Sequence, residues 1–526
     1  MDGVSDGDLK GSSGIVAFGA ADLTIEDIWA ISNRQVECRL SDDPAVIERI
    51  ANSARIVEET LARDGVIYGV TTGYGDSVTR GVPNPLVAEL PLHLTRFHGC
   101  GLGRILDPQE TRAVMAVRLT TLMRGWSGVS LDLVRLLAEM IRLDILPQIP
   151  AEGSVGASGD LTPLSYIAGA LAGERDVLYQ GQVMNSAEAF AKAGLTPIRL
   201  KPKEGLAVMN GTSVMTGLAA LAYHRAEQLS HLSCRLTAMA SLALLGNPAH
   251  FDERLMSAKP HPGQMRVGAR IRADLAEFAR LHTPTRLQDR YSIRCAPHVI
   301  GVLEDMLGSF RGLIETELNS ANDNPLFDPE DGRTLHGGHF YGGHVCFAMD
   351  GLKTLVANLA DLMDRQLALL VDTRYNNGLP SNLSGATGER APINHGLKAV
   401  QIGVSAWTAE ALKLTMPASV FSRSTECHNQ DKVSMGTIAA RDALRVIELT
   451  EQVAAAHIIA CVQAVRLRLR DGGLKEAELG HRVGGFLAAA GEAAPFIDED
   501  APLEKPLRAL CAGLAAGRWA DLLGEP

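Results

Sequence analysis

What the chain lacks narrows it first. It has no excess of basic residues: 50 Lys and Arg stand against 61 Asp and Glu, a formal charge of −11. That excludes a broad positive surface for nucleic acid or an anionic bilayer. No run reads as the roughly 18–20 apolar residues of a membrane helix; the nearest, 454–465, contains His457 and Gln463. The opening MDGVSDGDLKGSSG has neither the apolar core of a secretory signal nor the arginines of a transit peptide. The 8 cysteines are scattered without a CxxC pair, which points to reduced thiols in a cytoplasmic protein, not to a disulfide frame or zinc site. Internal repeats, low-complexity tracts and alternating Val/Ile runs are also missing, so little sheet is expected.

What is present is helical periodicity. Apolar residues recur at three- and four-residue intervals over 23–63, over 110–146 with a break near Gly125–Gly128, and then over 214–245, 296–318, 345–372, 395–414 and 434–469. The lengths predict a mainly α protein with a long-helix bundle core. The expected organisation is a flexible tail at 1–22, a smaller N-terminal region at 23–200, the long-helix core at 201–471 and a peripheral helical cap at 472–526. Function is expected in the polar, Gly-rich interruptions, among them 66–75, 97–103, 151–160, 208–213, 319–325, 336–344 and 424–431.

One interruption, GSVGASGDLTPLSYIAG, holds Ala157-Ser158-Gly159. Read as plain structure it is a tight turn before a helix, with Asp160 or Thr162 as N-cap, Pro163 as first helical residue and Leu164, Ile167 and Leu171 buried. The same residues can do chemistry. If the turn is compressed, the Gly159 nitrogen attacks the Ala157 carbonyl, and loss of two waters closes a ring in which Ser158 becomes an exocyclic alkene. Glycine is required third because only a residue without Cβ permits that approach. The product, 4-methylidene-imidazole-5-one (MIO), is an electrophile, and a helix N-terminus beside it draws electron density away.

This stretch resembles the signature of the aromatic amino acid lyases: histidine, phenylalanine and tyrosine ammonia-lyases and related aminomutases. The resemblance extends over about residues 60–470, through IYGVTTGYG (67–75), KPKEGLAVMNGTS (201–213), QDRYSIRCAP (288–297), ELNSANDNPLF (317–327), YNNGLPSNLSG (375–385) and ECHNQDKVSMG (426–436). It implies a fumarase/aspartase-like helical superfold whose N-terminal region bears the MIO, and a homotetramer with sites completed by several chains. The implied reaction is non-oxidative loss of ammonia from an aromatic amino acid. The electrophile turns the substrate nitrogen into a better leaving group, and a base takes the β-proton.

By the same resemblance Tyr68 is that base. A tyrosine with the reference pKa of about 10 needs a positive or hydrogen-bonding environment to serve at neutral pH, and the glycines around it suit a mobile lid. Arg294 matches the carboxylate clamp and Tyr291 a second active-site tyrosine. The two are three apart on one helical face, and their apolar neighbours Ile293, Cys295 and Ala296 suggest limited exposure. Asn210 and Asn324 match amides that hold the electrophile and the carboxylate. Gln288 and Gln430 match polar neighbours, and Phe340 an aromatic close to the electrophile. His336, His339 and His344 do not have zinc-signature spacing, so no metal is expected. GCGLG (99–103) is not a nucleotide fingerprint.

In this family a residue pair reads the substrate ring: Phe-Leu goes with phenylalanine, His-Leu with tyrosine and Ser-His with histidine. Here the pair is Phe97-His98, which fits none of them. Phe97 offers an apolar wall. His98 offers a polar group that an unsubstituted phenyl ring leaves unpaired, at about 1–3 kcal/mol. Lys398 and Glu426 match the phenylalanine-type members. The expected substrate is therefore phenylalanine, tyrosine or a ring-oxygenated relative, released as a cinnamic-type acid. Histidine ammonia-lyase and an aromatic 2,3-aminomutase are the alternatives.

Overall fold

The structure is a computed structural model that describes residues 14–63, 65–284 and 286–524. Residues 1–13 of the expected tail lie outside the described residues. The chain forms two compact units, neither contiguous in sequence.

The first unit runs to Leu221 and includes Arg311–Met349 and Pro417–Arg441. It opens with strand Gly14–Phe18, paired in parallel with Val36–Leu40 around the helix Ile25–Ser32. Residues 14–18 are thus strand where a tail was expected, and 36–40 are strand inside a stretch expected to be helical. Strand pairing wins because Val16 and Phe18 bury one alternating face of the first strand. Helix Pro44–Arg63 buries Val46, Ile50, Ile56 and Val57, a helical stripe. Helix Pro108–Met123 starts at an Asp107/Glu110 capping box and is buried on nearly all sides. The break before Leu131–Arg142 falls where Gly125 and Gly128 adopt φ of +73° and +70°. Short sheets join Leu102–Ile105 to Pro150–Glu152, and Leu146–Pro147, Asp176–Tyr179 and Gln182–Asn185 in a meander.

The second unit comprises Ala222–Phe310, Asp350–Met416 and Asp442–Pro526. The long helices observed over the chain, Ser213–Ala243, Ala296–Leu318, Gly343–Val371, Lys398–Lys413 and Gly436–Arg470, lie within a few residues of the periodic stretches. Residues 472–524 are built into this unit by buried polar contacts. Asp274 binds both Arg235 (2.6 Å) and Arg482 (2.8 Å), and Gln463 exchanges two 3.0 Å hydrogen bonds with the Ile497 backbone. Helix Gly436–Arg470 contains a window with mean hydropathy 1.2, as apolar as a membrane span, which corrects the sequence expectation; 89% of that window is buried inside the protein.

Candidate active site

The Ala157-Ser158-Gly159 turn is held from three sides, all within the first unit. Ser158 stands at φ +52° and Gly159 at +75°, so a serine occupies the left-handed region that L residues avoid. A Cβ on Gly159 would lie 2.1 Å from the Gly211 carbonyl oxygen. Asn210 donates from Nδ2 to the Ser158 carbonyl at 2.8 Å, and Gln430 donates from Nε2 to Ser158 Oγ at 3.0 Å. The Gln430 amide is oriented by Thr425, whose hydroxyl donates to its Oε1 at 3.2 Å. Asn210 Oδ1 is buried with no partner. These features fit the ring: a glycine cradle, donors on both oxygens of Ser158, and small residues that leave room.

Helix Leu161–Leu171 starts directly after the turn, with Asp160 at its N-cap and Leu164, Ile167 and Leu171 buried. Pro163 is its third residue, not its first, and the Asp160 side chain makes no cap bond to this helix. Its carboxylate instead accepts from the Val214 (3.0 Å) and Met215 (2.9 Å) amides at the start of Ser213–Ala243. It also accepts from Ser154 and from Thr437 in the first turn of Gly436–Arg470. The N-terminal ends of three helices therefore converge on the turn, a positive environment for an electrophile. Burial pushes the Asp160 carboxyl up, against four hydrogen bonds that lower it. Lys203 and Asp323 form a fully buried ion pair at 2.6 Å. Asp160, Lys203 and Asp323 stand inside the stretches GSVGASGDLTPLSYIAG, KPKEGLAVMNGTS and ELNSANDNPLF, but their wording does not say what they bond to; the partners appear only in the coordinates.

Tyr68 sits in the loop after helix Pro44–Arg63. Its neighbours Ile67 and Val70 are anchored with Ile56, Val57, Val87 and Phe327. The Gly75 amide donates to its hydroxyl at 2.8 Å, and the Asp76 amide donates to both Glu426 carboxylate oxygens at 2.9 and 3.0 Å. Glu426 thus pins the far end of the Tyr68 loop. Burial, followed by the charge of Glu426, pushes the Tyr68 phenol up against the Gly75 hydrogen bond. The lowered value that the base needs is not produced by these neighbours.

Tyr68, Phe97, His98, Ala157, Ser158, Asn210, Asn324, Phe340, Glu426 and Gln430 all line one cavity of about 860 Å³. Asn324 Oδ1 accepts from the Gly337 amide at 2.9 Å. His98 bonds through Nδ1 to the Leu94 carbonyl at 3.0 Å. A carbonyl only accepts, so Nδ1 carries the proton and Nε2 is left as an acceptor. Burial lowers the His98 pKa, which keeps the ring neutral.

Five expected site residues do not line this cavity: Gly159, packed behind the turn against Gly211, and four others. Gln288, Tyr291, Arg294 and Lys398 belong to the second unit. Arg294 lies over the Tyr291 ring at 4.6 Å, so the two share a face as expected. Tyr291 is 71% exposed, however, where limited exposure was expected. The cavity lining contains Lys432 but no arginine. Among the described residues no group of three His, Cys, Asp or Glu side chains is arranged to hold a metal ion.

A mainly helical fold, a pinned Ala-Ser-Gly turn and a tyrosine loop lining the same cavity, together with the family match, mark a carbon–nitrogen lyase. The family profile described as "Aromatic amino acid lyase" matches residues 23–488, and the chain belongs to that family. A histidine ammonia-lyase of Gloeobacter violaceus is 37% identical over 502 residues, 95% of each chain. Among solved structures, tyrosine aminomutase from Streptomyces globisporus is 32% identical with a TM-score of 0.86, covering 97% of this chain and 98% of that one. Pantoea agglomerans phenylalanine aminomutase is 31% identical with a TM-score of 0.87, covering 96% and 99%.

Proposed function

We propose that this chain releases ammonia from an aromatic L-amino acid whose ring carries an N–H or O–H donor, histidine first and tyrosine second. The observation that carries the ring assignment is His98, whose Nδ1–H is spent on Leu94 and whose Nε2 is an acceptor. An imidazole N–H or a phenol O–H pairs with it; phenylalanine leaves it unpaired. The name of the Gloeobacter relative supports histidine over the arylalanines favoured from sequence. Phe97, its ring tilted against His98 with centroids 4.4 Å apart, offers an aryl-sized apolar wall and supports tyrosine as the second reading.

The Ala157-Ser158-Gly159 turn is the precursor of MIO, which supplies an electrophile for the substrate amine. Asn210 holds the Ser158 carbonyl oxygen, and Gln430 borders the position where the alkene carbon forms. Tyr68 takes the β-proton on its phenol oxygen, with the Gly75 amide stabilising the phenolate. Phe97 and Phe340 offer apolar walls to the substrate ring.

The carboxylate clamp comes from Arg294, and Tyr291, Gln288 and Lys398 join the site with it, in a homotetramer in which another copy completes the cavity. Exposed Leu287 (88%) and Tyr291 beside Gln288 and Arg294 support this, because apolar surface at that density is normally covered. An aminomutase uses the same groups and returns ammonia to the β-carbon, so NMR of the product mixture separates the two by presence or absence of a β-amino acid.

The test of substrate is a panel of histidine, tyrosine and phenylalanine, followed by ultraviolet absorbance of the conjugated acid, on wild type and His98→Leu. Wild type should prefer a donor-bearing ring, and His98→Leu should move the preference towards phenylalanine by about 10-fold or more. Wild type that prefers phenylalanine, or a variant with unchanged preference, overturns the assignment.

A further inference from the structure

Arg118 lies in helix Pro108–Met123 and is fully buried. Its Nη1 donates to the Asn210 carbonyl at 3.1 Å and reaches Ser213 Oγ at 3.4 Å. Nε and Nη2 are buried with no hydrogen-bond partner. A buried guanidinium without a carboxylate on its fork is an expensive feature that packing alone does not account for. Burial lowers its pKa to about 10, opposed by the charges of Asp323 and Asp160, so the group stays cationic at neutral pH.

Its position says what it holds. Asn210 and Gly211 form the turn that grips the ring precursor: Asn210 Nδ2 binds the Ser158 carbonyl at 2.8 Å, and the Gly211 carbonyl accepts from Asp160 N–H at 2.7 Å. Gly211 adopts φ +147°, and a Cβ on it would sit 2.2 Å from Arg118 Nη1 and 2.3 Å from the Asn322 carbonyl oxygen. No side chain fits between the guanidinium and the turn. The contacts run without a gap from Arg118 through Asn210–Gly211 to Ser158–Asp160.

We propose that Arg118 is a positioning residue for ring formation: it fixes the Asn210–Gly211 turn so that Asn210 meets the Ser158 carbonyl while Gly211 presses on Gly159. The inference rests on reading Ala157–Gly159 as the MIO precursor. In the balanced step the Gly159 nitrogen bonds to the Ala157 carbonyl carbon, and that oxygen leaves as water with the Ser158 and Gly159 amide protons. The second water takes the Ser158 α-proton and hydroxyl. When the α-proton leaves, the electron pair moves onto the Ser158 carbonyl oxygen, the atom that Asn210 holds.

Intact-mass spectrometry tests this without reference to activity. The full chain is expressed as wild type, Arg118→Met, Arg118→Lys and, as a control for destabilisation alone, Arg235→Met, which removes another buried arginine, one bonded to Asp274 in the second unit. Wild type and Arg235→Met should be two waters lighter than their encoded mass. Arg118→Met should mature at least 10-fold more slowly, and Arg118→Lys, which keeps the charge but loses the fork, should fall between. Circular dichroism reports folding, and if Arg118→Met does not fold then Arg118→Lys decides. Folded Arg118 variants that lose both waters at the wild-type rate overturn the role of Arg118 alone. A wild-type chain at its full encoded mass overturns the ring reading and this role with it.

Discussion

Replacing Asp160 with alanine removes the acceptor at which three helix starts meet. The Val214 and Met215 amides lose their side-chain acceptor, and the hydroxyls of Ser154 and Thr437 are left with only the longer contacts to the Gly159 carbonyl and Ser154 Oγ. A hydrogen bond to a charged group contributes about 1.5–3 kcal/mol, but the wholly buried carboxylate has itself been desolvated, which offsets much of the sum. A net loss of about 3–5 kcal/mol follows, in the range measured when one partner of a buried charged network is removed. At about 2.1 cal/mol/K per residue, a chain this long unfolds with an entropy near ~1.1 kcal/mol/K. Scanning calorimetry should therefore show Tm lowered by about 3–5 °C, and Asp160→Asn, which keeps one acceptor oxygen, by about half as much. Intact mass taken on the same samples should show incomplete loss of water, since the turn is no longer tied to Ser213–Ala243. Asp160→Ala melting within about 1 °C of wild type and fully matured would refute the claim that this carboxylate organises the site.

Tyr68→Phe should lower kcat/KM by about 10²–10⁴-fold with its two-water mass deficit intact; a loss under about 10-fold assigns the base elsewhere. Glu426→Gln removes the negative charge that helps push the Tyr68 phenol up but keeps an acceptor for the Asp76 amide. Phenolate then forms more easily, so the rising limb of the pH–rate profile should move to lower pH, and an unmoved limb counts against Tyr68 as the titrating group. Burial holds His98 below its ordinary value of 6.5, so preference for a donor-bearing ring over phenylalanine should be constant from pH 8 down to 6.5. Decay of that preference above pH 6.5, in competition assays, contradicts the neutral Nε2 acceptor.

How much of this could be read from residues alone depended on how local the cause was. The long helices were legible because each buries a continuous stripe, and Ala296–Leu318 was bounded to the residue. Strands Gly14–Phe18 and Val36–Leu40 were not, because a five-residue parallel pair derives its stability from a partner about twenty positions away. The discontinuity of the two units was equally out of reach. Periodicity marks where helices run, not which segments pack together.

The site divides along the same line. Ala157-Ser158-Gly159, Tyr68, Asn210 and Gln430 stand in Gly-rich loops whose wording is itself a signal, and all of them line or border one cavity. Arg118 sits among ordinary helix residues, and Lys203 and Asp323 stand in KPKEGLAVMNGTS and ELNSANDNPLF, whose wording does not say that they pair; only burial marks them. The remaining group makes the sharper point. Gln288, Tyr291 and Arg294 are worded as strongly as Tyr68, yet they fall in the other unit and Tyr291 is largely exposed. A cavity lined without an arginine and an arginine face that lines no catalytic cavity are complementary deficits, and the proposed association of copies of the chain would remove both. The prediction that follows is concentration dependence. Specific activity should fall on dilution in step with the loss of the tetramer by light scattering, while the two-water mass deficit, whose gripping contacts all lie in the first unit, persists. Activity retained by a monomer would mean that the carboxylate is held by Lys432 or another cavity group instead of Arg294.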